Sequence, residues 1–373
     1  MINLDNASTT APIKEAILEM EDALTFDYFN MGAKYNAAKV VERKYNAYKE
    51  KLLTFLGAKE GSVIVCPSAT IANNLCLFSI NPKSKGKIIV SAGEHPSVYE
   101  CAKSLQNLGA NLVFCPLAKS GQIDLEKFQE LCDENVIFVS IMHVNNETGA
   151  INDVKKITQI AKLANPNCLV HSDGVQAFGK INVNLNELGV DFYTISSHKI
   201  GGPKGVGALY VKNKNKLKPL IIGGGQEENL ISGTANYPSF ASFMTAATIK
   251  FKSLNEDFQR VKEIKTQLIN EFKTNKIDFK INGEGEVSPY ILNVSFAGIR
   301  GEALLYLLAD RGILVSNGSA CSSNKRGNRI LEAMGLNKNE VDGAVRISFD
   351  WREDYPVKEI ANIFNEEINK IKH

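Results

Sequence analysis

The sequence has no apolar run approaching the ~18 residues that a helix needs to cross a bilayer. It shows no internal repeat and no low-complexity segment. It has no excess of charge: 43 lysines and arginines face 41 aspartates and glutamates, a formal net charge of +2. A balance of this kind does not point to nucleic acid or an anionic membrane as partner. No two cysteines are spaced Cys-x-x-Cys, and seven is an odd number in a chain of 373 residues, so a disulfide scaffold is excluded. Cys66, Cys76, Cys101, Cys115, Cys132 and Cys168 lie mostly in apolar surroundings and read as small buried hydrophobes. Together these features predict a reducing, cytoplasmic setting. The opening Met-Ile-Asn-Leu-Asp-Asn lacks a basic region and an apolar core, so no secretory leader is expected. The five histidines have no metal-ligand spacing with the cysteines, so no metal site is expected.

What is present is ordinary globular material. Hydrophobic residues make up 44% and charged residues 23%, which excludes a disordered tail, a collagen and a coiled-coil rod. At one domain per ~150 residues the length predicts two domains, or three. From about residue 60 the pattern alternates. β-branched runs at 63–66, 87–92, 111–117, 136–142 and 168–172 are interleaved with helical stretches at 70–80, 96–108, 124–132 and 154–163. Near-continuous apolar strands separated by helices predict an α/β fold with a mostly parallel sheet covered on both faces. Two further strands, 191–196 and 206–211, flank a Gly-rich loop and are expected to pair locally antiparallel. A long helix over 238–272 suggests a boundary. Beyond it, strands at 290–296, 313–316 and 344–349 alternate with helices at 301–311, 328–334 and 356–371, which predicts a small α+β domain. In open α/β sheets ligands bind beyond the carboxyl ends of the strands, and the chemically interesting residues sit at such ends.

Ser196-Ser197-His198-Lys199 ends a strand and enters a loop rich in glycine. A lysine there can form a Schiff base with an aldehyde cofactor, and the neighbouring hydroxyls and N–H groups can hold a phosphate. It reads equally as a surface lysine on a Gly-rich turn. Asp173 closes a buried strand, where a carboxylate is costly unless paired. A pyridinium N–H suits it, and so does capping of the following helix. His95, in Glu94-His95-Pro96-Ser97, can stack on a planar cofactor or shuttle a proton, or simply open a helix at Pro96. Asn145, in Asn-Asn-Glu-Thr-Gly, can donate to a phenolic oxygen or belong to a turn. Cys321 alone among the cysteines has a small, polar neighbourhood, Ser316-Asn317-Gly318-Ser319-Ala320-Cys321-Ser322-Ser323.

Eight such motifs follow in order along nearly the whole chain. They are Leu4–Thr10, Glu94-His95-Pro96, Asn145–Gly149, Asp173–Gln176, His198-Lys199 with its Gly-rich tail, Gly223–Glu227, Ser232-Gly233-Thr234 and Gly318–Cys321. In this the chain resembles the cysteine desulfurases of the NifS/IscS type, within the class V aminotransferase superfamily of fold-type-I pyridoxal-phosphate enzymes. The resemblance implies a seven-stranded large domain over 12–250 and a small domain over 1–11 and 251–373, the latter carrying Cys321 and Arg346. It implies pyridoxal 5'-phosphate bound covalently by Lys199, with Asp173 on the ring nitrogen and His95 stacked on the ring and assisting proton transfer. Gln176 and Asn145 would address the phenolic oxygen. Ala69, Thr70, Ser196 and His198 would hold the phosphate, with Thr234 reaching it from the second subunit of a homodimer. Asn30, Asn145 and Arg346 would bind L-cysteine, and the Cys321 thiolate would take its sulfur as a persulfide. The sulfur would pass to a protein acceptor, such as an iron–sulfur scaffold or a tRNA-thiolation relay.

The chain departs from the family pattern in four places. Phe29–Tyr35 lacks the usual proline, serines and histidine. Ser68 replaces a glycine in the phosphate loop, where a positive φ is expected to matter. Ile231 stands where an arginine is usual, and Ser348-Phe349-Asp350 replaces Ser-Leu-Gly. These changes suit a divergent member. A selenocysteine lyase or another class V enzyme, and a degenerate cofactor-binding paralogue with a scaffold role, are the alternative readings.

Overall fold

The computed structural model describes residues 1–318 and 328–372. In chain order the elements begin with β1 (Ile2–Asn3), α1 (Lys14–Phe26), α2 (Asn36–Phe55), β2 (Ser62–Cys66), α3 (Ala69–Phe78), β3 (Lys87–Ser91), α4 (Pro96–Asn107) and β4 (Asn111–Cys115). They continue with α5 (Leu125–Leu131), β5 (Val136–Ser140), α6 (Val154–Ala164), β6 (Leu169–Asp173), α7 (Leu185–Leu188), β7 (Phe192–Ser196) and β8 (Gly207–Val211). The remainder is α8 (Tyr237–Lys252), α9 (Leu254–Thr274), β9 (Phe279–Asn282), β10 (Ile291–Phe296), α10 (Gly301–Asp310), β11 (Ile313–Leu314), α11 (Arg329–Ala333), α12 (Lys338–Asp342), β12 (Ala344–Ser348) and α13 (Val357–Lys372).

β2–β8 form a seven-stranded sheet in the order β2-β8-β7-β6-β5-β3-β4. Only β8 runs against its neighbours, β2 and β7. Every residue of β7 and β8 is buried, as expected of strands covered on both faces. One face packs on α2, α6 and α8 through Tyr45, Ile157 and Phe240. The other packs on α3 and α4 through Leu75 and Val98. β12-β10-β9 make an antiparallel sheet whose apolar cluster includes Phe272, Phe296 and Phe364. Leu4 and Ala7 join that same cluster, and β1 pairs parallel to β11. The first residues of the chain are thus built into the core of the small sheet.

Two expectations need correction. The helix foreseen over 238–272 is two helices, because Ser253 leaves the helical region (φ −122°, ψ 19°). Its hydroxyl donates to Asp257 in the next helix, a local bond that competes with helix continuation. β9 was not foreseen, because four residues alternating two apolar with two polar positions, Lys280 and Asn282, carry little strand signal. Among the described residues no helix is long and apolar enough to cross a membrane.

Candidate active site

The loops after β2, β3, β5, β6 and β7 all leave from the same edge of the sheet, since these strands run in one direction. They carry Ala69 and Thr70, His95, Asn145, Asp173 and Ser196–Lys199 respectively. α3 starts hard against this edge. A Cβ at Gly207 would lie 2.8 Å from the Ile195 oxygen and 3.0 Å from the Ala69 nitrogen, so only glycine lets the helix N-terminus come this close. Ser68 caps α3, its hydroxyl accepting from the Ile71 N–H at 3.2 Å. Its φ of −164° is ordinary extended backbone. The expected penalty for replacing glycine there is therefore absent, and the serine supplies a cap in its place.

Lys199 follows β7 in a short 3-10 turn, and its Nζ donates to the carbonyls of Ala7 (2.7 Å) and Ser8 (2.6 Å). Gln176 Nε2 donates to the same Ala7 oxygen at 2.9 Å, and Lys180 Nζ donates to Gln176 Oε1 at 2.7 Å. Lys180 is buried, and its pKa falls to about 7 through burial first and the nearby Lys199 and Lys250 charges next. The N-terminal segment ties down the rest of the loop too. Thr9 Oγ1 meets His198 Nδ1 at 3.1 Å, Thr10 N–H donates to the His198 carbonyl at 3.0 Å, and the Gly201 N–H donates to Thr10 Oγ1 at 2.8 Å. Burial, reinforced by Lys199, pushes His198 down to about 3, so it is neutral at physiological pH.

Asp173, the last residue of β6, accepts one bond on each oxygen: from the Val175 N–H at 3.0 Å and from Asn73 Nδ2 at 2.9 Å. A carboxylate accepts about four, so capacity remains for a further donor. Asn73, on α3, is fully buried and also donates to Ser97 Oγ at 2.8 Å. Ser97 Oγ lies 2.8 Å from His95 Nδ1. A single chain of contacts therefore joins His95 to Asp173. Burial lowers the His95 pKa, opposed by the Asp173 charge. Glu94 is fully buried, accepts from the Met142 N–H at 2.6 Å and is driven well above the usual carboxylate range, burial first and Asp173 second.

Arg346, in β12, brings the small sheet to this edge. Its Nη2 donates to Asp5 (2.9 Å) and Ser8 Oγ (2.7 Å), and its Nη1 to the Asn146 carbonyl (2.9 Å). Glu147 lies 3.4 Å from Nη1, its pKa raised to about 7 by burial against the opposing pull of Arg346. The buried Nε of Arg346 has no hydrogen-bond partner among the described residues.

The structure thus links Lys199, Gln176, His198 and Arg346 through residues 5–10, and His95 and Asp173 through Asn73 and Ser97. Asn145 is buried. Its Oδ1 accepts from the N–H groups of Glu147 and Thr148, and its Nδ2 donates to the Gly93 carbonyl at 3.1 Å. Ser196 is buried at the end of β7. Thr70, Thr234 and Asn30 are exposed, and Asn30 uses its side chain to accept from the Gly32 N–H. Cys321 lies outside the described residues. Burial pushes Cys101, Cys115 and Cys168 up to about 12 and Cys132 up to about 11, so these thiols are poor nucleophiles. Asn73 and Lys180 were not singled out from the sequence, and Glu94 and Ser97 stood there only as neighbours of His95. The available signal was an asparagine among apolar residues in Ala-Asn-Asn-Leu-Cys-Leu-Phe, a polar group on a helix that packs inward.

A family model described as aminotransferase class-V matches residues 2–354. The chain belongs to the aminotransferase class-V family. Among class-V relatives, a protein named cysteine desulfurase IscS from Dictyoglomus turgidum is 33% identical over 367 residues, 97% of this chain and 92% of that one. A second, cysteine desulfurase IscS 1 from Archaeoglobus fulgidus, is 33% identical over 372 residues, covering 98% of this chain and 96% of that one. A solved structure described as a NifS-like protein superposes with a TM-score of 0.90 at 32% identity, covering 100% of this chain and 99% of the other. The fold is therefore that of the NifS-like structure over the whole length.

Proposed function

We propose that this chain is a pyridoxal 5'-phosphate-dependent cysteine desulfurase, converting L-cysteine to L-alanine and leaving a persulfide on Cys321. The observation that carries the reading is the pairing of a lysine amine and a buried carboxylate at the ends of neighbouring strands, β7 and β6. The residues present fit the cofactor. Asp173 has acceptor capacity for a ring N–H, the start of α3 offers N–H groups beside Ser196 and neutral His198, and the buried Ser197 hydroxyl has no partner among the described residues. Bound there, the cofactor supplies an electron sink for negative charge at the substrate Cα.

Lys199 would hold the cofactor covalently and would move the Cα proton; its acceptors, the Ala7 and Ser8 carbonyls, keep the amine at the strand end. Asp173 would keep the ring nitrogen protonated, and His95 would cover the ring. Gln176 and Asn145, which donate to the Ala7 and Gly93 carbonyls, would address the phenolic oxygen. Ala69, Thr70, Ser196 and His198 would hold the phosphate. Arg346 would receive the substrate carboxylate, Ser8 giving way while Asp5 keeps the guanidinium in place, with Asn30 at the mouth. The Cys321 thiol would lose its proton and its thiolate would attack the substrate sulfur; the S–S bond forms as the Cβ–S bond breaks, the electron pair stays with carbon, and a proton added there completes the methyl group of alanine. The sulfur then passes to a protein acceptor, such as an iron–sulfur scaffold, in a reducing cytoplasmic setting.

We read the chain as two domains, 12–250 and 1–11 with 251–373, and as a homodimer that brings Thr234 to a second copy's phosphate. Support comes from exposed apolar side chains, Phe26, Tyr28, Tyr35 and Ile222. Ile221 bridges to Ile231, which sets Ile222 beside the turn bearing Thr234. The deciding test is alanine release from cysteine. Wild type should turn over, and Cys321→Ser and Lys199→Ala should not. Turnover by Cys321→Ser equal to wild type overturns the assignment.

A further inference from the structure

The geometry points to Asn73 and Ser97 as positioning residues: they hold His95 as a neutral imidazole with its proton on Nε2, and they couple that choice to the Asp173 carboxylate. The functional weight of this rests on the reading above, but the tautomer itself follows from donors and acceptors alone.

A carboxylate can only accept, so the Asn73 amide nitrogen must be the atom that lies 2.9 Å from Asp173 Oδ2. The reverse orientation would set two oxygens against each other. The same nitrogen lies 2.8 Å from Ser97 Oγ, so both amide hydrogens are spent. The buried Asn73 Oδ1 is left with no partner among the described residues. An orphaned acceptor is unfavourable. Its presence marks an orientation fixed by Nδ2 rather than chosen for Oδ1.

Ser97 Oγ, having accepted from Asn73, has one hydrogen to give, and His95 Nδ1 stands 2.8 Å away. The Ser97 backbone N–H donates to the same Nδ1 at 3.2 Å. That N–H cannot rotate, because it belongs to the first turn of α4, begun by Pro96. Two donors converge on Nδ1, so Nδ1 carries a lone pair and the ring proton sits on Nε2. Protonating Nδ1 would set an N–H against the fixed Ser97 N–H and force the Ser97 hydroxyl to turn away. The charged groups around the ring are Asp173 from β6, Lys199 after β7, Arg329 from α11 and Arg346 from β12. Three of these four are cations, and they oppose a positive charge on the ring. The ring proton accordingly sits on Nε2, while Nδ1 is spent as an acceptor.

The test is nitrogen-15 NMR of the full chain labelled at histidine, recorded without and with added pyridoxal 5'-phosphate. His95→Gln identifies the His95 signals. In wild type at pH 7, Nδ1 should show the unprotonated and Nε2 the protonated shift. Ser97→Ala should raise the His95 pKa by about one unit, the order of one hydrogen bond's contribution. Ser97→Thr should restore it. A wild-type ring protonated on Nδ1, or a Ser97→Ala pKa equal to wild type, overturns the proposal. Should a variant fail to fold, the wild-type tautomer decides alone. The alanine assay is separate: the predicted tautomer without alanine production would overturn the desulfurase reading and leave this one standing.

Discussion

At the scale of single residues, the two histidines beneath the site differ from His95. His143 Nδ1 meets the Tyr193 hydroxyl at 2.8 Å, and His171 bridges Ser140 and Thr194. Burial pushes both down to about 4. A base whose pKa is lower folded than unfolded contributes stability above the unfolded value, ~6.5, and loses it as pH falls through the folded one. Urea unfolding should therefore weaken between pH 6.5 and 4, by about 3 kcal/mol for each histidine. His171→Asn should flatten that slope whatever it does to stability at pH 7; an unchanged slope would remove His171 from the account. At this scale the sequence was half legible. Lys199, Asp173 and His95 stand in recognisable motifs at strand ends. Asn73 does not, because its partners are 24 and 100 positions away and nothing local distinguishes it from Asn74.

At the scale of elements, the start of α3 carries two predictions. Ser68→Ala should cost about 1 kcal/mol by removing the cap, while Ser68→Gly should cost only a few tenths. A thermal melt that ranks Gly well above Ser would show that the loop needs a positive φ after all. Gly207→Ala should push α3 away from the sheet edge and cost about 1–3 kcal/mol by overcrowding. It should also weaken pyridoxal 5'-phosphate retention, measured by absorbance after dialysis. The main strands and helices were legible because apolar runs alternate with helical spacing. The break at Ser253 was not, because apolar periodicity continues on both sides of it while a single hydroxyl decides the backbone.

At the scale of the molecule, the exposed Ile222 and the Phe26–Tyr35 patch make association directly testable. Sedimentation should give a dimer for wild type, and Ile222→Glu should shift it toward monomer with loss of activity. A wild-type monomer would leave Thr234 without a phosphate to reach. Asp5→Ala should raise KM for cysteine more than it lowers kcat, since Arg346 loses one of the partners that fix its guanidinium. A normal KM would separate Asp5 from substrate binding. Sheet order was not legible, and the grouping of residues 1–11 with the small domain came from the resemblance alone. Leu4–Thr10 reads as a motif, but nothing in its composition says that it joins β11 and β12 to the Lys199 loop.

That join bears on how the protein is made. Residues 2–5 leave the ribosome long before β11 and β12, which they pair with. At about 5–20 residues per second the opening segment waits tens of seconds for them. The large sheet has all its strands by residue 211, well before that. A newborn chain therefore passes through a stage with its main sheet complete and its first ten residues unanchored at the small-sheet end. Protease sensitivity of ribosome-bound chains should be lost from that segment only after β12 has emerged.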